Sequence, residues 1–158
     1  MRASRLRRLM NWWPPFAFSG IHVEHIADDY REVRVALHQR WYNRNYVGSH
    51  FGGSLFAMTD PFFMLMLLHA LGRDYVVWDK AASIEFLKPG RGTVRARFAL
   101  DEQTLTTLRD TAHRDGRATH WFTVNVLDAA GEVVARVRKH LYVRPKAATR
   151  SPDVRGAR

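Results

Sequence analysis

The segment GGSLFAMTDPFFMLMLLHAL, residues 52–71, constrains the fold more than any other part of the chain. It begins with two glycines, and its apolar side chains would point in every direction around a helix. A helix that is apolar on all sides is typical of a buried position. Gly72 follows as a stop signal. The apolar run from Pro61 to Leu71 falls short of the roughly 20 residues that span a bilayer. We therefore expect one long, buried helix in a domain without a membrane span.

The rest of the chain predicts strands around this helix. REVRVALHQ, TVRARFAL, HWFTVNVLD and VVARVRKHLYV alternate apolar and polar residues, and YVVWDKAASIEFL adds a long third strand. Such alternation is typical of an antiparallel sheet with one face on the core. PGRG at 89–92 and DAAGE at 128–132 resemble hairpin turns, and DEQTLTTLRDTAH a short surface helix. The pattern predicts an α+β fold in which about six antiparallel strands wrap around one central helix.

The distribution of charge and the lack of cysteine limit the kinds of partner and metal site that the chain is expected to have. The chain of 158 residues has a formal net charge of +10, and its two ends carry most of the excess. Because the basic residues concentrate in these ends and no nucleic-acid-binding motif is present, no specific nucleic-acid partner is predicted. The absence of cysteine excludes disulfides and thiolate metal sites. No metal-binding spacing, nucleotide loop or redox motif appears, so we expect neither a metal nor a cofactor.

The ends themselves are predicted to differ from the domain. Residues 1–15 form a basic amphipathic segment, residues 16–145 the domain, and residues 146–158 a disordered basic tail. The arginines of RLRRLMNWWPPF lack the apolar stretch of a signal peptide, which favours a cytoplasmic protein. This segment either lies on its own domain or rests weakly on a membrane surface.

A candidate site lies where the central helix begins. Helix N-termini carry unpaired N–H groups, and glycine lets a ligand approach the backbone closely. The N–H groups at Gly52 and Gly53 could therefore hold an oxyanion. Asp60 lies about 12 Å further along a straight helix at ~1.5 Å per residue, too far to meet the same carbonyl. A twofold pairing of antiparallel helices would bring Asp60 of one chain near Gly52 of another.

NYVGSHFGGSLFAMTD resembles the asparagine–glycine–HGG–aspartate segment of hotdog-fold acyl-CoA thioesterases of the phenylacetate-pathway type. RWYNRNYVGSHFGGSLFAMTDPFFMLML and YVVWDKAASIEFLKPGRGTV resemble more closely a bacterial domain-of-unknown-function branch of that superfamily. The resemblance covers about residues 12–144. It implies the hotdog fold, an acyl-CoA or other acyl thioester as substrate, and a homodimer or a dimer of dimers (a homotetramer).

The resemblance also implies roles for individual residues. Asp60 falls on the family's catalytic acid, a nucleophile or a general base on water, Gly52 on its oxyanion-hole glycine and Asn45 on its asparagine. Phe51 replaces the histidine that directly precedes the glycines, and His50 stands one position earlier. Substrate-binding candidates are His50, Gly53, Asp79, which falls near a water-positioning serine, and Lys88 and Arg91, which resemble the coenzyme A loop.

Each candidate also has a structural interpretation. Asp60 before Pro61 could cap a second helical segment after a kink. The two glycines could serve a tight turn, and Asn45 and His50 could hold their loop by hydrogen bonds. Asp79 and Lys80 should point to opposite faces of their strand, and a charge facing the helix would need a partner. Lys88 and Arg91 could simply be solvated.

Two functions remain open at this stage. The first is an acyl-CoA thioesterase-like hydrolase. The second is a non-catalytic hotdog protein that binds acyl groups or fatty acids, which the displaced histidine and the Asp79–Lys80 pair would suit. A nucleic-acid accessory role rests on charge alone.

Overall fold

The computed structural model describes residues 1–146, so residues 147–158 of the predicted tail lie outside the described part of the chain. The six strands are β1 (Ile21–Ile26), β2 (Glu32–His38), β3 (Tyr75–Phe86), β4 (Thr93–Ala99), β5 (Ala118–Leu127) and β6 (Val133–Pro145). They form one sheet in the order β1-β2-β4-β5-β6-β3, and every neighbouring pair is antiparallel. The α+β hotdog prediction is confirmed.

The period-two pattern determines which sheet face meets the core. In β4, Val94, Ala96 and Phe98 are buried, whereas Arg95 and Arg97 are exposed. The same alternation runs through β5 and most of β6. Burial of the apolar side chains on one face drives the sheet to curl around a covering element, because that is how it removes apolar area from water.

The covering element is helical but not continuous. It consists of α3 (Gly52–Ala57) and α4 (Phe62–Leu71), which a turn separates. The prediction of a long central helix is confirmed, and the kink expected at Pro61 is present, because Pro61 has no N–H and its ring would clash with the carbonyl of Ala57 in a continuous helix. Instead Asp60 N–H donates to the Ala57 carbonyl at 3.2 Å. The predicted stop at Gly72 is confirmed, with φ of 90°.

The central segment is long enough to cross a membrane when it is judged by length and composition alone. Gly52–Leu71 spans 20 residues with a hydropathy of 1.5, so the estimate from the shorter apolar run understated its length. Half of the segment is buried inside the protein, and core helices pass the same test. Its aromatic side chains explain that burial: the rings of Phe62 and Phe63 lie 4.9 and 5.2 Å from the ring of Phe98.

Two short helices precede the sheet, α1 (Ala3–Trp12) and α2 (Pro14–Ala17). Leu6 and Met10 of α1 are buried in the core. The side-chain amide of Asn11 fixes the helix to β1, because its Oδ1 accepts from Val23 N–H at 2.7 Å and its Nδ2 donates to the Val23 carbonyl at 3.2 Å. One face of the N-terminal segment therefore lies on its own domain.

The remaining connections include one confirmation and one correction. Helix α5 (Glu102–Asp115) begins at Asp101, which caps Thr104 N–H at 2.7 Å, and DAAGE joins the paired strands β5 and β6. PGRG is not a hairpin turn, because β3 pairs with β6 and β4 lies between β2 and β5. Residues 87–92 instead carry the chain across the end of the sheet. Gly90 packs tightly there, since a Cβ on it would lie 2.8 Å from Val134.

Candidate active site

Four of the predicted residues line one cavity at the start of α3. This glycine pocket has a volume of about 400 Å³ and is lined by Asn45, His50, Gly52, Leu55, Phe86 and Lys88, among others. The strand β3, the crossing segment after it and the loop before α3 meet at this point. The sequence therefore identified residues that are far apart in the chain and adjacent in the fold.

Gly52 occupies the first position of α3 with its backbone N–H available. The N–H groups of Ser54 and Leu55 both donate to the Phe51 carbonyl, at 3.0 and 3.3 Å. Within residues 1–146, no carbonyl or side chain accepts from Gly52 N–H. A Cβ at Gly52 would lie 2.9 Å from the ring of Phe86, so only glycine allows this close approach. The tight packing and the free donor are both present. Gly52 can therefore serve a tight turn and also offer its N–H to an oxyanion.

His50 is buried beside Gly52 with one ring nitrogen in use. Its Nε2 lies 2.8 Å from the Gly92 carbonyl, so Nε2–H donates and Nδ1 carries the lone pair. Nδ1 is buried and has no partner among the described residues. Burial lowers the pKa of the imidazole, and the hydrogen bond to Gly92 acts in the opposite direction. The pocket therefore contains a neutral imidazole with an unused acceptor.

Asn45 is engaged within its own loop. Its Oδ1 accepts from Ser49 N–H at 2.9 Å, and its Nδ2 donates to Ser49 Oγ at 2.7 Å and to the His50 carbonyl at 3.3 Å. These bonds favour the loop-holding interpretation of Asn45. They also fix the position of His50, so Asn45 shapes the pocket even where it does not contact a ligand.

The two predicted cations at the pocket differ in their partners. Lys88 pairs with Asp128 at 2.6 Å and with Glu132, and these carboxylates raise its pKa. Arg91 is exposed and makes one long hydrogen bond, from Nη1 to the Gly48 carbonyl at 3.4 Å. A phosphate would therefore compete with two carboxylates for Lys88, whereas Arg91 can turn towards it at little cost.

A second group of charges lies near the turn between α3 and α4. The Nζ of Lys139, on β6, lies 2.8 Å from Asp60 Oδ1 and 3.2 Å from Asp79 Oδ2. The Lys139 side chain is only 1% exposed. We call Asp60, Lys139 and Asp79 the carboxylate cluster. A buried ammonium is costly without partners, and here two carboxylates supply them.

Sequence reasoning missed Lys139 although a signal was present. In β6, the alternate residues Val137, Lys139 and Leu141 point to the inward face, and all three are buried. A lysine in a run of core positions indicates either an error of register or a buried charge that needs an acid. We missed it because the neighbouring outward residues, Arg138 and His140, made a basic residue seem ordinary there.

Asp79 faces inward in phase with the buried Tyr75 and Val77, and a β-bulge follows directly after it. Asp79 lies opposite Leu141 and Ala81 opposite His140, so Lys80 is the extra residue in β3. Lys80 is exposed, whereas Asp79 turns towards Lys139. The expectation that one of the two residues faces the helix side and needs a partner is therefore confirmed for Asp79.

The acids of the cluster differ in environment. Burial raises the pKa of Asp79, Lys139 lowers it, and the nearby Asp60 raises it again. Asp79 Oδ1 is buried without a hydrogen-bond partner in the described chain. Asp60 is instead 61% exposed. The cluster therefore holds one buried, strained carboxylate and one that faces outward.

Asp60 opens onto a cavity of its own. This cavity of about 240 Å³ is lined by Trp13, Phe16, Gly53, Phe56, Asp60 and Pro61, among others. The capping interpretation of Asp60 is wrong in detail, since Pro61 occupies the N-cap of α4 and no side chain bonds to that cap. Asp60 and Gly52 line different cavities, so one chain does not bring them together. Gly53 lies beside Asp60 rather than in the glycine pocket.

No cluster of three His, Asp or Glu side chains among residues 1–146 could hold a metal ion. The available chemistry is therefore that of backbone donors, a neutral imidazole and a lysine-held carboxylate. Such groups suit the stabilisation of an oxyanion and the activation of water.

Comparison with protein families matches residues 2–143 to the domain of unknown function DUF4442. The chain belongs to this family. The match begins at residue 2, so α1 is part of the family's domain rather than an addition to it. No curated protein matches the sequence.

Solved structures of similar fold include several proteins described as thioesterases. A probable thioesterase from Pseudomonas aeruginosa has a TM-score of 0.78 and 24% identity, covering 92% of this chain and 97% of its own. A thioesterase from Haemophilus influenzae has a TM-score of 0.67 and 14% identity, with 96% of each chain covered. At these identities the likeness establishes the fold. It also agrees with the resemblance seen in the sequence of this DUF4442 chain.

Proposed function

We propose that this DUF4442 protein hydrolyses acyl thioesters of the acyl-CoA class in a site shared by two chains. Gly52 N–H of one chain holds the oxyanion that forms on the thioester carbonyl. Asp60 of the other chain takes a proton from the attacking water or attacks the carbonyl carbon itself. The C–S bond then breaks, and the sulfur leaves as coenzyme A thiol. With water as the nucleophile the acyl group leaves directly as a carboxylic acid; with Asp60 as the nucleophile it remains on Asp60 as an anhydride, which water then hydrolyses to the acid and free Asp60.

The observation that supports the proposal most directly is the state of Asp60. Its carboxylate is held at 2.8 Å by a lysine that is 1% exposed, yet 61% of the Asp60 side chain faces outward. An exposed carboxylate without a function would not require a buried ammonium as its partner. Lys139 anchors the carboxylate in one position over a cavity, which is what attack in a defined geometry requires.

The separation of the two groups within one chain supports the sharing of the site. Gly52 and Asp60 line different cavities, one at the start of α3 and one at the turn that follows it. Strand β3 lies at the sheet edge, and residues 80–83 of it are exposed. An exposed edge is a template for pairing with a second chain. A homodimer formed there, or a dimer of dimers, would place the central segments of two chains side by side.

Other residues support binding in this proposal. Asn45 holds the loop and orients the carbonyl or the water, and Gly53 keeps the backbone open beside Asp60. His50 offers its Nδ1 as an acceptor to an N–H of the substrate. Arg91, with Lys88 in a lesser role, attracts the phosphates of coenzyme A. The reaction needs no cofactor and would take place in the cytoplasm.

Hybrid dimers test the shared site. Pro at position 52 removes the N–H and fits the local backbone, because proline suits the first helical position and Phe51 already has the extended conformation that proline requires. The Cβ that it adds beside Phe86 is controlled by Gly52→Ala. The Asp60→Asn and Gly52→Pro homodimers should each lose about 100-fold or more in kcat/KM. A hybrid of the two variants contains one intact site and should regain about half of the wild-type rate, since one site of two is complete. Hybrids as inactive as their parents would refute a shared site.

The matched control is Asp110→Asn, an exposed acid on α5 far from the cluster. It should leave turnover unchanged on a panel from acetyl-CoA to stearoyl-CoA with aromatic acyl-CoA esters. Equal loss in this control would mean that the removal of any negative charge lowers activity. The assignment of Asp60 as the catalytic acid would then be refuted.

A non-catalytic acyl-binding protein is the second candidate. Two observations favour it: Phe51 stands where the resembled family has histidine, and the ion pair with Lys139 stabilises the Asp60 carboxylate and so reduces its reactivity. Wild-type protein that binds acyl-CoA stoichiometrically across the panel without turnover would select this function over hydrolysis.

A further inference from the structure

The N-terminal helices leave large apolar side chains exposed on their outer side. Trp12 is 85% exposed, Phe18 80% and Trp41, in the loop after β2, 81%. Leu9 and Trp13 are also exposed. Exposed aromatic residues of this size are unusual singly and informative as a group, because monomers rarely expose large contiguous apolar surface.

Five of these and neighbouring side chains adjoin one another, and we call them the aromatic patch (Leu9, Trp12, Trp13, Trp41 and Tyr42). Leu9, Trp12 and Trp13 line one shallow depression, and Trp12 shares a second depression with Arg40 and Tyr42. The ring of Tyr42 lies 5.5 Å from that of Trp41. The patch therefore joins α1 and the loop after β2 into one face.

Arginines predominate around the patch. Residues 1–23 contain four arginines and neither aspartate nor glutamate, and Asp60 is an acid at the edge of the patch, where it shares a cavity with Trp13. Arg2, Arg5 and Arg8 line a depression that continues from Leu9, and Arg40 borders Trp12. Tryptophan and tyrosine at a rim of arginine suit the boundary between lipid headgroups and acyl chains.

We propose that the aromatic patch docks this protein on an anionic lipid surface. Tryptophan and tyrosine side chains enter the headgroup region, and the arginines pair with the lipid phosphates. Two features favour lipid over a protein partner: the arginines along α1 and beside Trp12, and an amphipathic helix that already buries Leu6 and Met10 on its own domain while presenting its other side outward.

The location of the patch adds a consequence that rests on the proposed function. Trp13 lines both the patch and the cavity of Asp60. Docking would therefore set the mouth of that cavity at the lipid boundary, where long-chain acyl thioesters concentrate. A long-chain substrate class is accordingly expected if the chain is a hydrolase.

Vesicle sedimentation of the full-length protein tests the docking directly. The probes are vesicles of phosphatidylcholine alone and vesicles in which phosphatidylglycerol replaces part of it. Wild-type protein should sediment with the anionic vesicles and be released by salt, since each arginine near such a surface contributes about 1 kcal/mol. Absence from the anionic vesicles would overturn the proposal, as would equal binding to both kinds.

Two pairs of substitutions separate the contributions. Arg5→Glu with Arg8→Glu should weaken binding to anionic vesicles by about tenfold or more. Trp12→Ser with Trp41→Ser should abolish the blue shift of tryptophan fluorescence on vesicle addition. The matched control is Trp78→Ser with Arg144→Glu, an exposed aromatic and an arginine on the outer face of the sheet. Equal loss in the control would refute the patch.

Light scattering without lipid tests the main alternative, in which a second copy of this chain covers the aromatic patch. If Trp12→Ser with Trp41→Ser changes the oligomeric state, the patch is an interface between copies of this chain and the lipid proposal fails. An unchanged oligomeric state with lost vesicle binding supports it. Because vesicle binding needs no turnover, its outcome is independent of whether thioester hydrolysis is found.

Discussion

The glycine pocket and the carboxylate cluster lie at the two ends of the short helix α3. They differ in whether their central polar groups have partners within the chain. In the pocket, Gly52 N–H and His50 Nδ1 have no partner within the described chain. In the cluster, Lys139 is paired twice, with Asp60 and Asp79. The pocket therefore offers hydrogen-bonding groups to a ligand, whereas the cluster holds a charge in place. Each alone lacks what the other provides for hydrolysis.

The largest expected effect tests whether the free donor of the pocket matters. Gly52→Pro removes the N–H, and Gly52→Ala keeps it while adding the same Cβ, 2.9 Å from the flexible ring of Phe86. If the N–H holds an oxyanion, the proline variant should lose about 100- to 1,000-fold in kcat. The alanine variant should lose far less. Similar losses in both would assign the effect to packing against Phe86.

The next effect tests the cluster. Lys139→Met replaces the buried ammonium by an apolar side chain of similar length, so Asp79 loses its partner. Removing one member of a buried pair costs about 3 kcal/mol. Chemical denaturation of wild type and variant at neutral pH measures this loss in the free energy of unfolding. A variant as stable as wild type would show that the three residues are not a coupled unit.

The same variant has a pH dependence whose sign follows from Asp79. Burial already raises the pKa of Asp79, and Lys139 opposes that rise. Removal of Lys139 should raise the pKa further. A raised carboxyl pKa favours the folded state only while the group is protonated, so that contribution is lost as pH rises through the folded pKa. The destabilisation by Lys139→Met should accordingly shrink from pH 7 towards pH 4; a constant difference would contradict it.

A smaller effect compares the two cations of the pocket. Arg91→Glu should raise KM for acyl-CoA by about tenfold with little change in kcat, because a phosphate contact outside the reacting centre contributes to binding. Lys88→Gln should change KM less, since Asp128 and Glu132 already occupy Lys88. A larger KM effect at Lys88 would reverse their assigned importance.

The smallest effect concerns His50. Burial lowers its pKa below the ordinary value of 6.5, so its neutral form stabilises the fold above that pH, and the contribution is lost as pH falls through the lower folded pKa. His50→Gln keeps a donor for the Gly92 carbonyl and removes the titration. Below pH 6.5 the free energy of unfolding should fall less steeply in the variant, by at most about 1.4 kcal/mol per pH unit for one proton. Identical slopes would mean that His50 is solvated.

The sequence predicted the parts of this comparison that depend on local pattern. Alternation in β4 and β6 predicted the sheet, and the glycines with the apolar run predicted the central helix and the pocket at its start. The kink at Pro61 also follows from local rules, since a proline at this position would clash with the Ala57 carbonyl in a continuous helix.

What the sequence did not predict depends on contacts between distant strands. PGRG has the composition of a hairpin turn, but whether β3 pairs with β4 or β6 depends on how the whole sheet closes. The ion pairs of Lys139 connect positions 79 residues apart in the chain, to Asp60, and 60 apart, to Asp79. The alternation of inward and outward side chains along β6 places Lys139 on the inward face. Only the register of β3 against β6 identifies its partners.

The extra residue Lys80 has a consequence for the other side of the molecule. Beyond it, β3 continues with Ala82 opposite Lys139 and Phe86 opposite Ala135, so Phe86 reaches Gly52 because the bulge takes up the extra residue. Deleting Lys80 would remove the bulge and leave a regular ladder, in which Ala81 follows Asp79 and every later side chain keeps its side. Without the bulge, Lys80 would shift the rest of the strand by one position and turn Phe86 away from the pocket, so an alignment that slides here misassigns the inward face up to the end of β3.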